Sequence, residues 1–250
     1  MRLAKHQPGI PRFSICIPAH IESHTDLNYL REAIESARKQ RYVRFEILIS
    51  DDSDNQDLVQ LIQEFASPEI DLKLLKPPTG SGLGSNLNNC VSYARGKFVK
   101  ILFQDDLFSH KYSLLIMGLR LRISKRKWLA AATIHLQQDT GKYINRFKPK
   151  RSEFLLLGKN SISSPSVILF KREFFLPFHE ELKYLIDCEW YLRMSHTFGL
   201  PVFFNQVSII NRLHKDQATH RFSELLKTES LIATNLHDVS IMGLSECKCR

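Results

Sequence analysis

The sequence predicts an α/β fold with a mostly parallel central sheet flanked by helices and a smaller antiparallel element in its second half. Three observations carry this. Short β-favouring runs alternate with helical stripes through the first hundred residues, as βαβ units around a parallel sheet require. Acidic pairs follow directly on two of the apolar runs, where the carboxyl edge of such a sheet would lie. Beyond residue 110 the pattern becomes less regular.

Residues 13–17 form a β-favouring run stopped by Pro18. Leu27, Leu30, Ile34 and Ala37 recur at helical spacing, with Thr25 or Asp26 as the expected N-cap. A buried strand over 45–50 follows, then a helical stripe of Leu58, Leu61, Ile62 and Phe65 that ends before Pro68, then a short strand over 72–75. Gly80 to Gly84 reads as a loop, with a helix from about Ser85 to Ala94 closed by Gly96. A strand over 98–103 runs straight into Gln104, Asp105 and Asp106. The second half is expected to hold a basic helix over 111–123, β-like stretches over 129–136 and 166–170, and a turn at 139–141. A helix over 188–197, a strand over 202–204, a His-containing loop and a terminal helix over 221–233 complete the reading. One continuous domain explains this order best.

Composition limits the function classes. The chain has 250 residues, 43% of them hydrophobic and 24% charged, which excludes a disordered or collagen-like chain. A formal charge of +9 points to an anionic partner, although the paired acids and the lack of a recognised motif argue against nucleic acid. Cys16, Cys90, Cys188, Cys247 and Cys249 are scattered and fit a reducing compartment better than a disulfide framework. The opening residues lack the apolar stretch of a signal peptide, and no run reaches the roughly 18 apolar residues that span a bilayer. A cytoplasmic protein is expected.

The carboxylates carry the chemistry. Asp51 and Asp52 follow the second strand, and Asp105 and Asp106 follow the strand ending at Phe103, so both pairs are expected to face one crevice. Helix capping and turn chemistry account for the first pair on local grounds. The second pair, delivered by an apolar strand, calls for a compensating partner that the nearby sequence does not supply. A divalent Mg²⁺ or Mn²⁺ held jointly with substrate phosphates meets that need.

Five motifs then combine: Ser14-Ile-Cys-Ile-Pro18, Ile47-Leu-Ile-Ser-Asp-Asp-Ser-Asp54, Asn88 with Ala94-Arg-Gly96, Phe103-Gln-Asp-Asp106, and Asp187-Cys-Glu-Trp-Tyr-Leu-Arg193. In order and spacing, over about residues 12 to 213, they resemble family 2 glycosyltransferases of the GT-A fold, a Rossmann-like architecture. The resemblance implies a nucleotide-binding half over about 12–110, an acceptor-binding half over about 111–213, and a C-terminal helix and tail over 214–250.

It also implies residue roles. Asp52 would contact the nucleotide base, and Pro18, Gly82, Asn88 and Asp105 would belong to the nucleotide-sugar site. Asp106 would bind Mn²⁺ or Mg²⁺, with His214 as a further ligand to metal or diphosphate. Asp187 would be the general base, a role compatible with helix N-capping. The usual DxD element reads Gln-Asp-Asp here, Cys90 stands where many relatives have Gly, and Leu87 where many have Arg.

The implied function is an inverting transfer from a UDP-, GDP- or dTDP-sugar to a hydroxyl of a saccharide or lipid-linked saccharide, in cell-surface polysaccharide assembly. The alternatives are a nucleotide-sugar-binding pseudoenzyme and a sugar-phosphate nucleotidyltransferase. Lys111, Arg120, Arg122, Lys125, Arg126 and Lys127 flank Leu114, Leu115, Ile116 and Leu119, a composition compatible with peripheral contact on an anionic membrane and also with a core helix that has a wet face. Arg212 and Lys215 beside His214 are candidates to offset phosphate charge.

Overall fold

The computed structural model describes residues 12–53, 55–67, 70–77, 82–215 and 223–247, with side chains as far as residue 236. Fifteen regular elements follow in order. They are β1 (Phe13–Ala19), α1 (His24–Arg38), β2 (Phe45–Asp51), α2 (Gln56–Phe65), β3 (Asp71–Leu75), α3 (Gly82–Ser92), β4 (Phe98–Ile101) and β5 (Leu107–Phe108). Then come α4 (Ser113–Ser124), β6 (Trp128–Gln137), β7 (Lys142–Phe147), β8 (Ile168–Lys171), α5 (Ile186–Phe198), β9 (Val202–Leu213) and α6 (Leu226–Cys247). All strands join one nine-stranded sheet in the order β3-β2-β1-β4-β8-β6-β9-β5, with β7 paired to β6. The first four strands are mutually parallel, β6 and β9 are parallel, and β8, β5 and β7 supply the antiparallel pairings.

The strand order reverses between β1 and β4, so a crevice is expected beyond their carboxyl ends. β1 is buried along its whole length, as a strand covered on both faces should be. It does not stop at Pro18. β4 pairs with β1 only as far as Cys16, so Pro18, whose nitrogen lies on that side, costs no ladder hydrogen bond. The strand continues to Ala19 on its other edge, paired with Asp51.

The first helix begins two to three residues earlier than expected. Ser23 is its N-cap and Asp26 completes a capping box from the third helical position, while Leu27, Leu30, Ile34 and Ala37 are buried as the stripe predicted. Asn55 caps α2, so Asp51 and Ser53 are left to turn chemistry; the predicted Asp54 lies outside the described residues. Gly80 and Ser81 also lie outside them, and Gly82 and Gly84 belong to the first turn of α3 rather than to a loop. A Cβ at Gly84 would stand 2.9 Å from the Glu180 Cα, so this glycine lets α3 approach the segment before α5.

The Ala94-Arg-Gly96 motif is structural. A Cβ on Gly96 would lie 2.6 Å from the Phe13 carbonyl carbon and the Ser14 nitrogen. Buried Glu46 accepts hydrogen bonds from the Ser14 hydroxyl (2.6 Å), the Arg95 backbone N–H (2.7 Å) and the Arg95 Nε–H (2.8 Å). The motif thus locks β1, β2 and the turn before β4 together.

The basic helix α4 buries Leu114, Met117 and Leu121 and exposes Leu119, Ile123, Arg120 and Arg122. Its Gly118 meets the ring of Phe13 at the amino end of β1, opposite the crevice. No helix among the described residues is long and apolar enough to cross a membrane.

β9 is far longer than the three residues expected, and it follows β6 through two register shifts. Those irregularities break the period of two that would have marked it. Under α5, Trp190 stacks on Phe178 (5.0 Å) and packs edge-on against Trp128, and both indole N–H groups donate to backbone carbonyls. Arg193 forms an ion pair with buried Glu189 one turn away. The motif from Asp187 to Arg193 therefore anchors its helix with Trp190 and Arg193 and leaves Asp187 in the first turn.

Candidate active site

The loops after β1, β2 and β4 meet at the switch point. Gln104, the residue that departs from the DxD pattern, joins the first and last of these loops. Its side-chain oxygen accepts from the His20 backbone N–H (2.8 Å) and its amide donates to the His20 carbonyl (2.9 Å). His20 then turns its Nδ1 to within 2.7 Å of Asp52 Oδ1. The other Asp52 oxygen accepts the backbone N–H of Gly82 at 3.0 Å, so Asp52 is held between β1 and the first turn of α3. Burial lowers the His20 pKa, but Asp52 and Glu22 outweigh it and the net shift is upward.

Asp51 does not share this crevice position. It is buried, accepts the Ser53 N–H and hydroxyl, and pairs with Lys76 at 2.8 Å. Local turn chemistry explains Asp51, as it does for many aspartates at strand ends.

Asp105 and Asp106 differ sharply. Asp105 is partly exposed, and its Oδ2 lies 3.0 Å from His214 Nε2, whose ring packs against Tyr29. Asp106 is 3% exposed. One of its oxygens accepts from Asn211 (2.7 Å) and Ser164 (3.2 Å), and the other from the Arg212 backbone N–H (3.1 Å). Burial, and then the charge of Asp105, push Asp106 up to about 7 despite these donors. Nearby Lys100 is wholly buried and is pulled down to about 7 by that burial.

Arg212 does not face the crevice as a phosphate-binding cation. Its guanidinium bonds the Asp105 carbonyl, Gln138 and Glu32 and lies over the Tyr29 ring, so it braces the acidic loop from behind.

Asp187 occupies the first turn of α5. Leu185, not Asp187, is the N-cap residue. Asp187 Oδ1 accepts the Cys188 N–H and Oδ2 accepts the Asn160 amide, each at 2.7 Å. Burial pushes Asp187 up to about 6 against those donors. A carboxylate poised there takes a proton near neutral pH far better than an ordinary aspartate.

The remaining predicted residues have contacts within the protein. Pro18 is buried in β1, and Gly82 offers its N–H to Asp52. The Asn88 amide donates to the Phe178 carbonyl and Glu180, while its oxygen accepts the Phe178 N–H. It clamps α3 to the segment before α5. Two residues at the site escaped the sequence reading, His20 and Asn160, while Gln104 was read only as a departure from the DxD pattern. His20 follows a strand end and had that positional signal; Asn160 had none.

A divalent cation fits the Asp105–His214 pair, which offers one carboxylate oxygen and one imidazole nitrogen at the edge of the crevice. Among the described residues no three His, Cys, Asp or Glu side chains gather to hold a metal ion. A shell completed by donor phosphates and water matches the habits of Mg²⁺ and Mn²⁺.

Comparison with known proteins agrees with this architecture. The mannosyltransferase PcManGT of Pyrobaculum calidifontis, solved with GDP-Man and Mn²⁺, superposes with a TM-score of 0.66 at 15% identity, covering 93% of this chain and 65% of that one. TarS (1–349) of S. aureus, solved with UDP-GlcNAc, gives a TM-score of 0.65 at 18% identity, covering 87% and 66%. At such identities the likeness speaks for the fold, which is that of GT-A glycosyltransferases. Among curated sequences, Uncharacterized protein MT1568 of Mycobacterium tuberculosis is 26% identical over 213 residues, 75% of this chain and 63% of that protein. An Escherichia coli glucosyltransferase, WfgD, is 30% identical over 95 residues, 38% of this chain and 35% of its own length. The chain spans less than two thirds of the length of the curated relatives it matches. The model named Glycosyl transferase family 2 matches residues 14–176, well over half of the sequence, and the chain belongs to that family.

Proposed function

We propose that the protein transfers a sugar from a nucleoside-diphosphate sugar to an acceptor hydroxyl with inversion at the anomeric carbon. The observation that carries this is the linkage of the acids. Asp52 connects through His20 and Gln104 to the Asp105 loop, and Asp106 connects through Asn211 and Ser163 to the turn whose Asn160 holds Asp187.

In this reading Asp52 accepts an N–H of the nucleotide base, and the Asp105–His214 pair faces the diphosphate. Asp106, expected from the resemblance to bind the metal, is read instead as the buried brace of the loop presenting Asp105, because both of its oxygens already accept hydrogen bonds. A Mn²⁺ or Mg²⁺ ion bound beside Asp105 and His214 would offset the charge of the diphosphate leaving group. Asp187 takes the acceptor hydroxyl proton as that oxygen bonds to the anomeric carbon. The bond from that carbon to the diphosphate oxygen breaks, and its electron pair leaves with the nucleotide. One displacement gives inversion.

The acceptor is a saccharide or lipid-linked saccharide; WfgD, by its name, acts on a GlcNAc-diphosphoundecaprenol. Peripheral docking through α4 and its flanks has the exposed Lys111, Leu119, Arg120, Arg122, Ile123, Lys125 and Arg126 in its support, and α4 lies at the amino end of the sheet. A bilayer there would face away from the crevice, so docking through α4 predicts co-sedimentation with anionic vesicles that the double substitution R120E/R122E abolishes.

The test of function uses purified protein, Mn²⁺ and a panel of UDP-, GDP- and dTDP-sugars, with release of the nucleoside diphosphate as the readout. One donor should be turned over. Binding without turnover across acceptors would favour a pseudoenzyme, and release of pyrophosphate from nucleoside triphosphate and sugar phosphate would favour a nucleotidyltransferase.

A further inference from the structure

The end of the helix that bears Asp187 has no side-chain cap of its own, because its N-cap residue is Leu185, and within the helix the carboxylate accepts the Cys188 N–H. Two remote groups complete its fixing. Glu229 of α6 accepts the backbone N–H groups of Lys183, Tyr184 and Leu185 at 2.9, 2.8 and 2.8 Å and so holds the helix end. Asn160 holds the carboxylate itself.

The Asn160 amide is oriented by its own turn before it reaches Asp187. Its oxygen accepts the N–H groups of Ile162 and Ser163, both at 2.9 Å, and its Nδ2 also donates to the Ser163 carbonyl. Ser163 sits at φ +87°, a region that residues with a side chain rarely occupy. Such a conformation persists only where its surroundings compel it, and it marks sites with a positional task. Here the compulsion is visible. The Ser163 carbonyl accepts the Tyr191 hydroxyl (2.9 Å), its own hydroxyl donates to Asn211 (3.2 Å), and Asn211 and Ser164 both reach Asp106.

We propose that the turn 160–164 is the positioning element of the transfer site, with Asn160 as the residue that orients Asp187 while Ser163 and Ser164 tie that contact to Asp106. The strained turn thereby keeps the base and the donor-side acid at a fixed separation. The proposal rests on the reading of Asp187 as the base, and it names a residue that the family motifs in this sequence do not contain.

The sign of its effect follows from geometry. An N–H donated to a carboxylate favours the charged form, so losing Asn160 makes Asp187 hold its proton to higher pH. The groups that meet Asp187 are the Cys188 N–H and thiol, the Tyr191 hydroxyl and the Asn160 amide, with the Glu229 carboxylate at the preceding turn.

Two variants test this, Asn160→Ala and the near-isosteric Asn160→Asp, which keeps the shape and sets a like charge beside the base. The first readout needs no substrate: carboxyl ¹³C NMR titration of Asp187, its resonance identified by loss in Asp187→Asn. The midpoint should rise by about one pH unit in Asn160→Ala and further in Asn160→Asp. The second readout is turnover, where the acid limb of kcat should move by the same amount with the donor KM unchanged. A shifted NMR midpoint supports the proposal whether or not a donor sugar is found. Unshifted titration in both folded variants overturns it even in an active enzyme, and so does a loss of kcat that is uniform across pH.

Discussion

The two halves of the molecule hold their acids in different ways. In the first half, Asp51 and Asp52 sit at the end of β2 and are fixed by groups at neighbouring strand and helix ends: Ser53, Lys76, Gly82 and His20. In the second half, Asp187 lies in a helix whose end is capped by Glu229 from α6 and whose carboxylate is oriented by Asn160 from a strained turn. A parallel sheet delivers binding groups to one edge by its topology alone. A base that must meet an acceptor from the other wall needs long-range contacts to set its direction. Asp51 and Asp52 are fixed by the ends of adjacent elements, whereas Asp105, Asp106 and Asp187 depend on partners from 160–164, 211–214 and 229.

That difference can be broken one side at a time. The largest loss of stability is expected from Arg193→Met, which leaves buried Glu189 without its partner guanidinium on the helix that bears Asp187. Removing one partner of a buried ion pair costs about 3–5 kcal/mol, read as a fall in the urea midpoint. A midpoint within experimental error of wild type would mean that α5 is held by its aromatic packing alone. On the donor side, Gly96→Ala places a Cβ 2.6 Å from the backbone of Phe13 and Ser14, where nothing flexible can yield. About 1–3 kcal/mol, or failure to fold, is expected.

Smaller effects sharpen the contrast. Both Asp187 and Asp106 bind their protons more tightly in the folded chain than an unfolded aspartate does, being raised to about 6 and about 7. Unfolding free energy should therefore fall as pH rises from roughly 4 to 7, because the folded state holds the extra protons. Urea midpoints at both ends of that range measure this without added metal. Asp187→Asn should remove its share of the slope, and an unchanged slope would contradict the burial of its charge. In turnover the same group is expected to act oppositely: as the proposed base it works only when ionised, so kcat/KM should rise through about pH 6.

Much of the donor half was legible because its signals are local. The apolar runs of β1, β2 and β4, the stripe of α1, and acids at strand exits each follow from neighbours in sequence. The exceptions have specific causes. Pro18 reads as a strand stop, yet β4 has already left that edge of β1. Asn88 is expected at the nucleotide-sugar site from its motif, and its amide also binds residues 178 and 180, a partnership formed only in three dimensions. In the acceptor half β9 was mostly missed, since its register shifts against β6 disrupt alternation. Asn160, Ser163 and Glu229 lie outside every motif, and their roles depend on which distant groups they touch.

The most direct test pairs one acid from each half: titration of the nucleotide sugar, with Mn²⁺, into Asp52→Asn and Asp187→Asn, alongside kcat for each. Loss of a hydrogen bond to a charged acceptor should weaken donor affinity about tenfold or more in Asp52→Asn. Asp187→Asn should keep wild-type affinity while kcat falls about 10²–10⁴-fold. Wild-type turnover in Asp187→Asn, or donor binding weakened there as much as in Asp52→Asn, would contradict the division of binding and chemistry between the two walls.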